Sequence, residues 1–460
     1  IKSSPKSTFT TLAFRLLSVA SSRVSLLKVV MTKRKAAATA AAAGLSQPTR
    51  AKSARTAAAN KASTSSKLPP NFEWTQAGGL AKPGVPHMFV LSSSTAVAAK
   101  KCAVFDIDWC LIKPKSGGKW PKNASDWCWL FDSVPDKLKQ LHSDGYRLLF
   151  ISNQSGFEKG TTSPKEIMQK CELVISELGV PADVILIGSV SHFRKPDIGA
   201  WEFFVRDCNG GVEFDKSSSF FVGDAAGRPA SGSHKKDFSC SDRMFAANIG
   251  LPFSTPEEFF LDEPKSEFDW GAPSPQSLLD AAASCSLPGN LLSSKQPELL
   301  LTVGAPACGK SSLAERVFVG EQGYSRANRD LLKTPAACLR LAEEAIKSGK
   351  SVIVDNTNPS RQDRAQYLEL AKRLKVPARC LLMTTDKALA EHLNMFRQSQ
   401  TASKVRRVPL VAYRMYYSKY SEPTVAEGFS EIVRVPFVYK PELLSQRDRK
   451  LILNWTTAGH

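Results

Sequence analysis

No Cys-x-x-Cys pair occurs in the 460 residues, although the chain has ten cysteines. Scattered singly, they exclude zinc modules built on paired cysteines and give no disulfide framework; they read as reduced thiols, mostly core filler. No apolar run approaches the roughly 18 residues needed to span a bilayer. No secretory signal is evident either, so no membrane partner is expected. The first 72 residues contain no aspartate or glutamate but 13 lysines and arginines, out of a net charge of +19. A strongly basic arm on a mildly basic body favours a polyanionic partner, nucleic acid above all, over the plain reading of a soluble basic protein.

Length and composition suit two or three globular domains. Residues 1–68 read as a disordered, Ala/Ser/Thr/Lys-rich basic arm. Its first 30 residues, Ser-rich and Arg-bearing, have the look of an organelle transit peptide, and translation from Met31 is the equal alternative. "KRK" at 33–35 is a weak nuclear-localisation signal. The expected location is the nucleus, with mitochondrion or another organelle as an additional site. Residues 69–262 form a first folded domain, 263–297 a linker rich in Pro, Ser and Gly, and 298–460 a second domain. In both domains, short apolar runs alternate with helical patterns. This βαβα order predicts two doubly wound parallel sheets, an α/β fold class.

In such sheets ligands gather at the carboxyl ends of strands. Four groups of the first domain fall there: Asp106 and Asp108 in "FDIDWCLI", Ser152 in "FISNQSG", Lys195 in "HFRKPD" and Asp224 in "FVGDAAG". A carboxylate nucleophile can accept a phosphoryl group, giving an aspartyl-phosphate. A second carboxylate two residues on can protonate the leaving oxygen and later activate water. Mg²⁺ held by Asp106, Asp108 and Asp224 would offset the crowded negative charge, while Ser152 and Lys195 bind phosphate oxygens. A lone Asp-x-Asp is more often a solvated turn; the four together resemble the haloacid-dehalogenase-type phosphatases.

The second domain carries "GAPACGKSS", Gly304 to Ser312, between a strand and a helix, matching the phosphate-binding P-loop. Backbone N–H groups between Gly304 and Gly309 cradle phosphates of ATP, Lys310 reaches the β/γ-phosphates, and Ser311, followed by Ser312, offers a hydroxyl to Mg²⁺. Asp330, about 20 residues further on, is placed to deprotonate an acceptor hydroxyl. Arg397 in "NMFRQ" is a candidate lid arginine, with a surface role as the alternative. Asp355, ending "VIVD", reads either as a water-mediated Mg²⁺ or acceptor ligand or as a turn cap.

The order of these motifs, with "FVGDAAGR", "KKDFSCSDRMFAANIGLPFSTPEEFFL", "VIVDNTNPS" and "EPTVAEGFSEI", is similar to the eukaryotic polynucleotide kinase 3′-phosphatase family. The resemblance covers roughly residues 80–438. It implies a bifunctional enzyme acting on DNA ends at nicks, gaps and strand breaks, removing a 3′-phosphate and adding a 5′-phosphate from ATP. It also implies repair scaffold partners and a supporting role for Asp237. The chain is expected to act as a monomer. Neither a forkhead-associated domain nor a zinc finger of the kind some members carry is evident. Trp109-Cys110 stands where the family has Gly-Thr, and Ser152 where it has Thr. Trp109 could crowd the phosphate or stack on a base. Alternatives are a kinase with an impaired phosphatase, a non-catalytic DNA-end adaptor, and a small-molecule phosphatase fused to a nucleotide kinase.

Overall fold

The computed structural model describes residues 68–457 apart from 233 and 293–296. The arm, its targeting signals and the choice of start therefore lie outside the described residues.

The first sheet begins with β1 (Phe72–Lys82) and β2 (Val85–Ser93), an antiparallel hairpin. Next come β3 (Cys102–Phe105), a small antiparallel pair of β4 (Ile112–Lys113) with β5 (Cys128–Trp129), then β6 (Arg147–Asn153), β7 (Asp183–Ile187), β8 (Phe220–Val222) and β9 (Phe253–Ser254). The seven-stranded order is β1-β2-β7-β6-β3-β8-β9. Strands β7 to β9 in that order run parallel, and β2 joins antiparallel to β7. The parallel part is the predicted one, its strands apolar on both faces because helices cover both sides. The β1–β2 hairpin is a correction: the sheet is mixed at that edge. On β1, half-buried Phe72 and Trp74 alternate with exposed Glu73 and Thr75, a one-sided edge pattern that Gly78 and Gly79 interrupt at a register shift.

The second sheet contains β10 (Leu299–Val303), β11 (Ser325–Ala327), β12 (Val352–Val354), β13 (Ala378–Met383) and β14 (Glu431–Val435), all parallel in the order β11-β12-β10-β13-β14. Residues 263–297 are not a structureless connection. Pro275–Ala283 is a helix whose Leu279 and Ala282 pack with Leu389, Leu393 and Ile452 of the second domain. Proline at the start of a helix is compatible with helix formation, and the apolar face of "LLDAAA" finds cover only in three dimensions.

The two domains touch directly. Trp270 stacks on Trp455 with ring centroids 4.1 Å apart. Asn248 of the first domain clamps the Trp455 backbone with bonds of 2.7 and 3.0 Å. The helix Lys387–Gln400 and the segment following it lie against residues 190–197 of the first domain.

Arg364, fully buried, holds the second domain's strand-end loop together. It pairs with Glu427 at 2.7 Å and donates to the carbonyls of Asn358, Pro359 and Ser421. Removing one partner of such a pair leaves the other charge uncompensated. Arg364→Met is expected to destabilise the protein by about 3–5 kcal/mol, read as a lowered urea midpoint.

Two candidate phosphoryl-transfer sites

Strand β3 ends at Phe105, so Asp106 stands at the carboxyl edge of the first sheet, nearly buried. Its N–H donates to Val222 O of neighbouring β8 at 2.9 Å, which fixes the strand end. Lys195 comes from the loop after β7, and its Nζ reaches Asp106 at 2.5 Å, Asp242 at 2.8 Å and Ile151 O at 2.8 Å. Asn153 clamps the Lys195 backbone through two bonds of 3.1 Å. Surrounding carboxylates outweigh burial and raise the lysine's affinity for its proton.

Asp106, Asp224 and Asp242 each offer an oxygen within 4.8 Å of the others. This all-oxygen set, half or fully buried, fits a hard divalent cation. Burial, more than mutual repulsion, lifts the Asp224 carboxyl well above its ordinary range and the Asp106 carboxyl to about 7. Asp242 opens the helix Ser241–Ile249 in "CSDRMF", and only the fold brings it back beneath β8. Gly223 permits the approach: a Cβ there would fall 2.5 Å from Asp242 Oδ2.

One sequence-derived ligand assignment is redirected by this arrangement. Asp108 lies outside the carboxylate cluster and instead pairs with buried Lys170 at 2.6 Å and accepts from Gln154 at 3.1 Å. Successive turn residues past the strand point their carboxylates to different walls of the cleft. Asp237 is saturated by Arg228 and by the N–H groups of Ala226 and Arg228, so it shapes the loop after β8 and is not one of the three clustered carboxylates. Ser152 is buried, accepts from Gln154 at 3.0 Å, and lines the same cleft of ≈ 1120 Å³ as Asp106, Asp108, Lys195 and Asp224. Asp242 and Lys170 escape sequence reasoning because they stand on helices, where no strand-end pattern marks them, and Gln154, directly past β6, because an uncharged amide carries no phosphoryl-transfer signature.

The unusual pair fits this geometry. Trp109 has φ +63°, a left-handed conformation in which a side chain meets its own carbonyl and glycine does not. Its ring is 40% exposed on the cleft wall. Cys110 is fully buried, and its Sγ donates to Val222 O at 3.3 Å, the same carbonyl that holds the Asp106 N–H. Burial first, then the nearby carboxylates, keeps the thiol protonated and able to donate.

At the second site, β10 ends at Val303 and the chain turns through Gly304–Gly309 into the helix Lys310–Leu313, which continues as a wider turn through Glu321. Gly309 has φ +99°, which a side chain rarely adopts. Lys310 is buried, folded back onto Gly304 O at 3.0 Å and Ala305 O at 2.6 Å, where it waits on the loop's own carbonyls. Ser311 Oγ donates to Asp355 at 3.2 Å, and Ser312 is exposed on the same turn. Asp355, at the end of β12, is buried and also paired with Arg326 at 2.5 Å and Asn328 at 3.0 Å. It thus stands beneath the P-loop serine rather than capping a turn. Asp330 is exposed on the first turn of Arg329–Leu332, and its carboxylate has no partner among the described residues. Arg397 sits on Lys387–Gln400 and bonds Asn394 of its own helix at 3.1 Å; its Nε is buried without a partner. The structure does not join it to the P-loop.

A buried carboxylate cluster around one lysine and a P-loop, each at the carboxyl edge of its own parallel sheet, define a haloacid-dehalogenase-like phosphatase domain joined to a P-loop kinase domain. A family model described as polynucleotide kinase 3 phosphatase matches residues 101–260, and one described as an AAA domain matches 321–419. The bifunctional polynucleotide phosphatase/kinase of Schizosaccharomyces pombe is 38% identical over 340 residues, covering 74% of this chain and 80% of its own length. The mimivirus protein named as a putative bifunctional polynucleotide phosphatase/kinase is 30% identical over 370 residues, with 75% and 86% covered. The Arabidopsis polynucleotide 3′-phosphatase ZDP is 34% identical over 179 residues, 35% of this chain and 24% of its own. The chain belongs to the bifunctional polynucleotide phosphatase/kinase family.

Trp109→Gly is expected to shift stability by less than about 1 kcal/mol, because relief of the left-handed strain is offset by the lost ring contacts and by glycine's freedom in the unfolded chain, read as a nearly unmoved denaturation midpoint. A second expectation concerns pH. Asp106, raised to about 7 from an ordinary 3.8, contributes stability that is complete below about pH 4 and is lost as pH climbs through 7. In chelator the melting temperature should fall between pH 5 and 8. Millimolar Mg²⁺, competing with protons for the cluster, should flatten that slope.

Proposed function

We propose that this protein repairs DNA strand-break ends, hydrolysing a 3′-phosphate in the first domain and phosphorylating a 5′-hydroxyl from ATP in the second. The observation that carries the reading is the Asp106–Lys195–Asp242–Asp224 constellation, hydrolytic in type, in one chain with a nucleotide-binding P-loop.

In the first site Asp106 attacks the phosphorus of the 3′-phosphate. The bond from phosphorus to the 3′-oxygen breaks, and Asp108 supplies the proton that oxygen needs. Asp108, now a carboxylate beside Lys170, takes a proton from the water that attacks the aspartyl-phosphate, releasing inorganic phosphate and free Asp106. Ser152 and Lys195 hold the non-bridging oxygens throughout. Mg²⁺ bound by Asp106, Asp224 and Asp242 would neutralise charge between phosphate and carboxylates. A thiol at 110 that still supports the nucleophile loop, and a tryptophan at 109 facing the cleft, favour a working phosphatase over an impaired one. Trp109 and Trp120, both exposed on the cleft wall, offer faces on which bases of a frayed end can stack.

In the second site the Gly304–Gly309 backbone and Lys310 would hold the triphosphate of ATP, and Ser311 with Asp355 would provide oxygen ligands for a second Mg²⁺ that neutralises phosphate charge. Asp330 takes the proton of the 5′-hydroxyl as its oxygen attacks the γ-phosphorus and ADP leaves. Arg397 would have to swing from Asn394 to meet the phosphates, a movement suited to a lid. The excess of positive charge and the short basic run near the start support a nuclear protein bound to nucleic acid.

The test is a nicked duplex bearing a 3′-phosphate and a 5′-hydroxyl, with each end read separately. Asp106→Asn should lower 3′-phosphate release by at least ~10³-fold and leave 5′-phosphorylation intact. Lys310→Ala should cut ATP-dependent 5′-labelling by roughly 10²–10³-fold and spare the phosphatase. Loss of both activities from either substitution in a folded protein would overturn the two-site assignment.

A further inference from the structure

The wall of the phosphatase cleft carries two guanidinium groups that no step above employs. Arg194 precedes Lys195. Arg407 belongs to the kinase domain, beyond the helix Lys387–Gln400, yet it lines the same cleft as Asp106, Asp108 and Ser152. Neither forms an ion pair within 4.0 Å among the described residues. Arg407 Nη1 meets only Met395 Sδ, at 3.4 Å, and Arg194 Nη1 is buried with no hydrogen-bond partner. Burial, then the positive charge of Arg407, pushes the Arg194 guanidinium down to about 10. Burial also lowers Arg407, with Asp197 and Glu158 opposing. Two half-buried cations on one cleft wall, near enough to repel and short of hydration, call for an anion from the cleft.

The approach of Arg407 is built into the domain contact. Around it, Ser399 Oγ donates to Asp197, Gln398 to Val190 O at 3.2 Å, and Arg406 to Ala81 O; Ser403 Oγ accepts from His192 N at 2.8 Å. These bonds pin the kinase segment leading up to Arg407, residues 398–406, to the first domain. Since Ser152 and Lys195 already serve the terminal phosphate, a second cationic pair in the same cleft is matched to another phosphate of the same strand. Its rim adds Lys119, Lys122 and Lys159.

We propose that Arg407, contributed by the kinase domain, forms with Arg194 a subsite for an internucleotide phosphodiester of the strand whose 3′-phosphate lies on Asp106. The kinase domain thereby helps select polynucleotide over small phosphomonoesters in the neighbouring active site. This inference rests on the phosphatase reading of the cleft.

The test uses the full chain, wild type, Arg407→Ala and Arg407→Lys, on two substrates: a 3′-phosphorylated single-stranded oligonucleotide and p-nitrophenyl phosphate. For Arg407→Ala the ratio of kcat/KM on oligonucleotide to kcat/KM on the aryl phosphate should fall about tenfold, chiefly through KM. The slope of log kcat/KM against log salt should flatten by roughly 0.7, one single-strand phosphate contact. Arg407→Lys should recover part of both. An unchanged ratio and slope, or an equal fall on both substrates, would overturn the subsite, the latter marking a merely structural role. If wild type hydrolyses neither substrate, the phosphatase reading itself fails and the subsite falls with it.

Discussion

The ammonium of Lys195 is the interaction on which the first domain's chemistry depends. Asp106, Asp224 and Asp242 crowd within 4.8 Å at the edge of the sheet, and carboxylates so close and so buried cannot all be charged unaided. One buried cation touching two of them, fixed at its backbone by Asn153 and at its tip by Ile151 O, makes the cluster tolerable before any metal binds. The same cation lines the cleft, and the negative charge it leaves unbalanced suits a divalent ion.

The departure at 109–110 is understood through backbone and hydrogen bonding rather than residue class. The loop after Asp106 turns through a left-handed residue, which explains a glycine at that point in the family pattern. Trp109 adopts the turn at a cost in strain and in return presents an aromatic face to the cleft. Cys110 replaces a hydroxyl with a weaker donor but keeps the same partner carbonyl as the Asp106 N–H. The nucleophile's support is therefore altered in strength and not in connectivity.

The two domains are more than tethered. The stretch from Pro275 to Ala283 is a helix packed on the kinase domain, and the region around Trp270 packs on the chain's last described turn. The helix Lys387–Gln400 ends on residues 190–197, which also carry Lys195. A shift of that helix would be felt by the loop that holds Lys195, so the contact is a physical route between the two domains.

Much of the chemistry is local in the sequence. An apolar strand ended by a polar residue places that residue at the carboxyl edge of a parallel sheet, so Asp106, Ser152 and Asp224 can be read from short motifs; Lys195 in the loop past β7, and Lys310 and Ser311 at the helix start after the glycine-rich turn, are read from loop motifs, as the α/β class is from the strand–helix alternation. The β1–β2 hairpin and β14 are harder to read, because edge strands are only half apolar and a glycine pair interrupts the pattern. Roles set by partners are not readable at all. Asp108 stands just past a strand end and Asp242 on the first turn of a helix, and neither place tells the role: one meets Lys170, 62 residues away, and the other joins the carboxylate cluster. Arg407 reaches the phosphatase cleft across more than two hundred residues of chain. The sequence by itself determined which reactive groups exist and on which strand tips most of them stand, since strand periodicity is a short-range property. Only the tertiary structure decided which of them meet, because charge, burial and hydrogen bonding at a site are sums over segments that the chain order keeps apart.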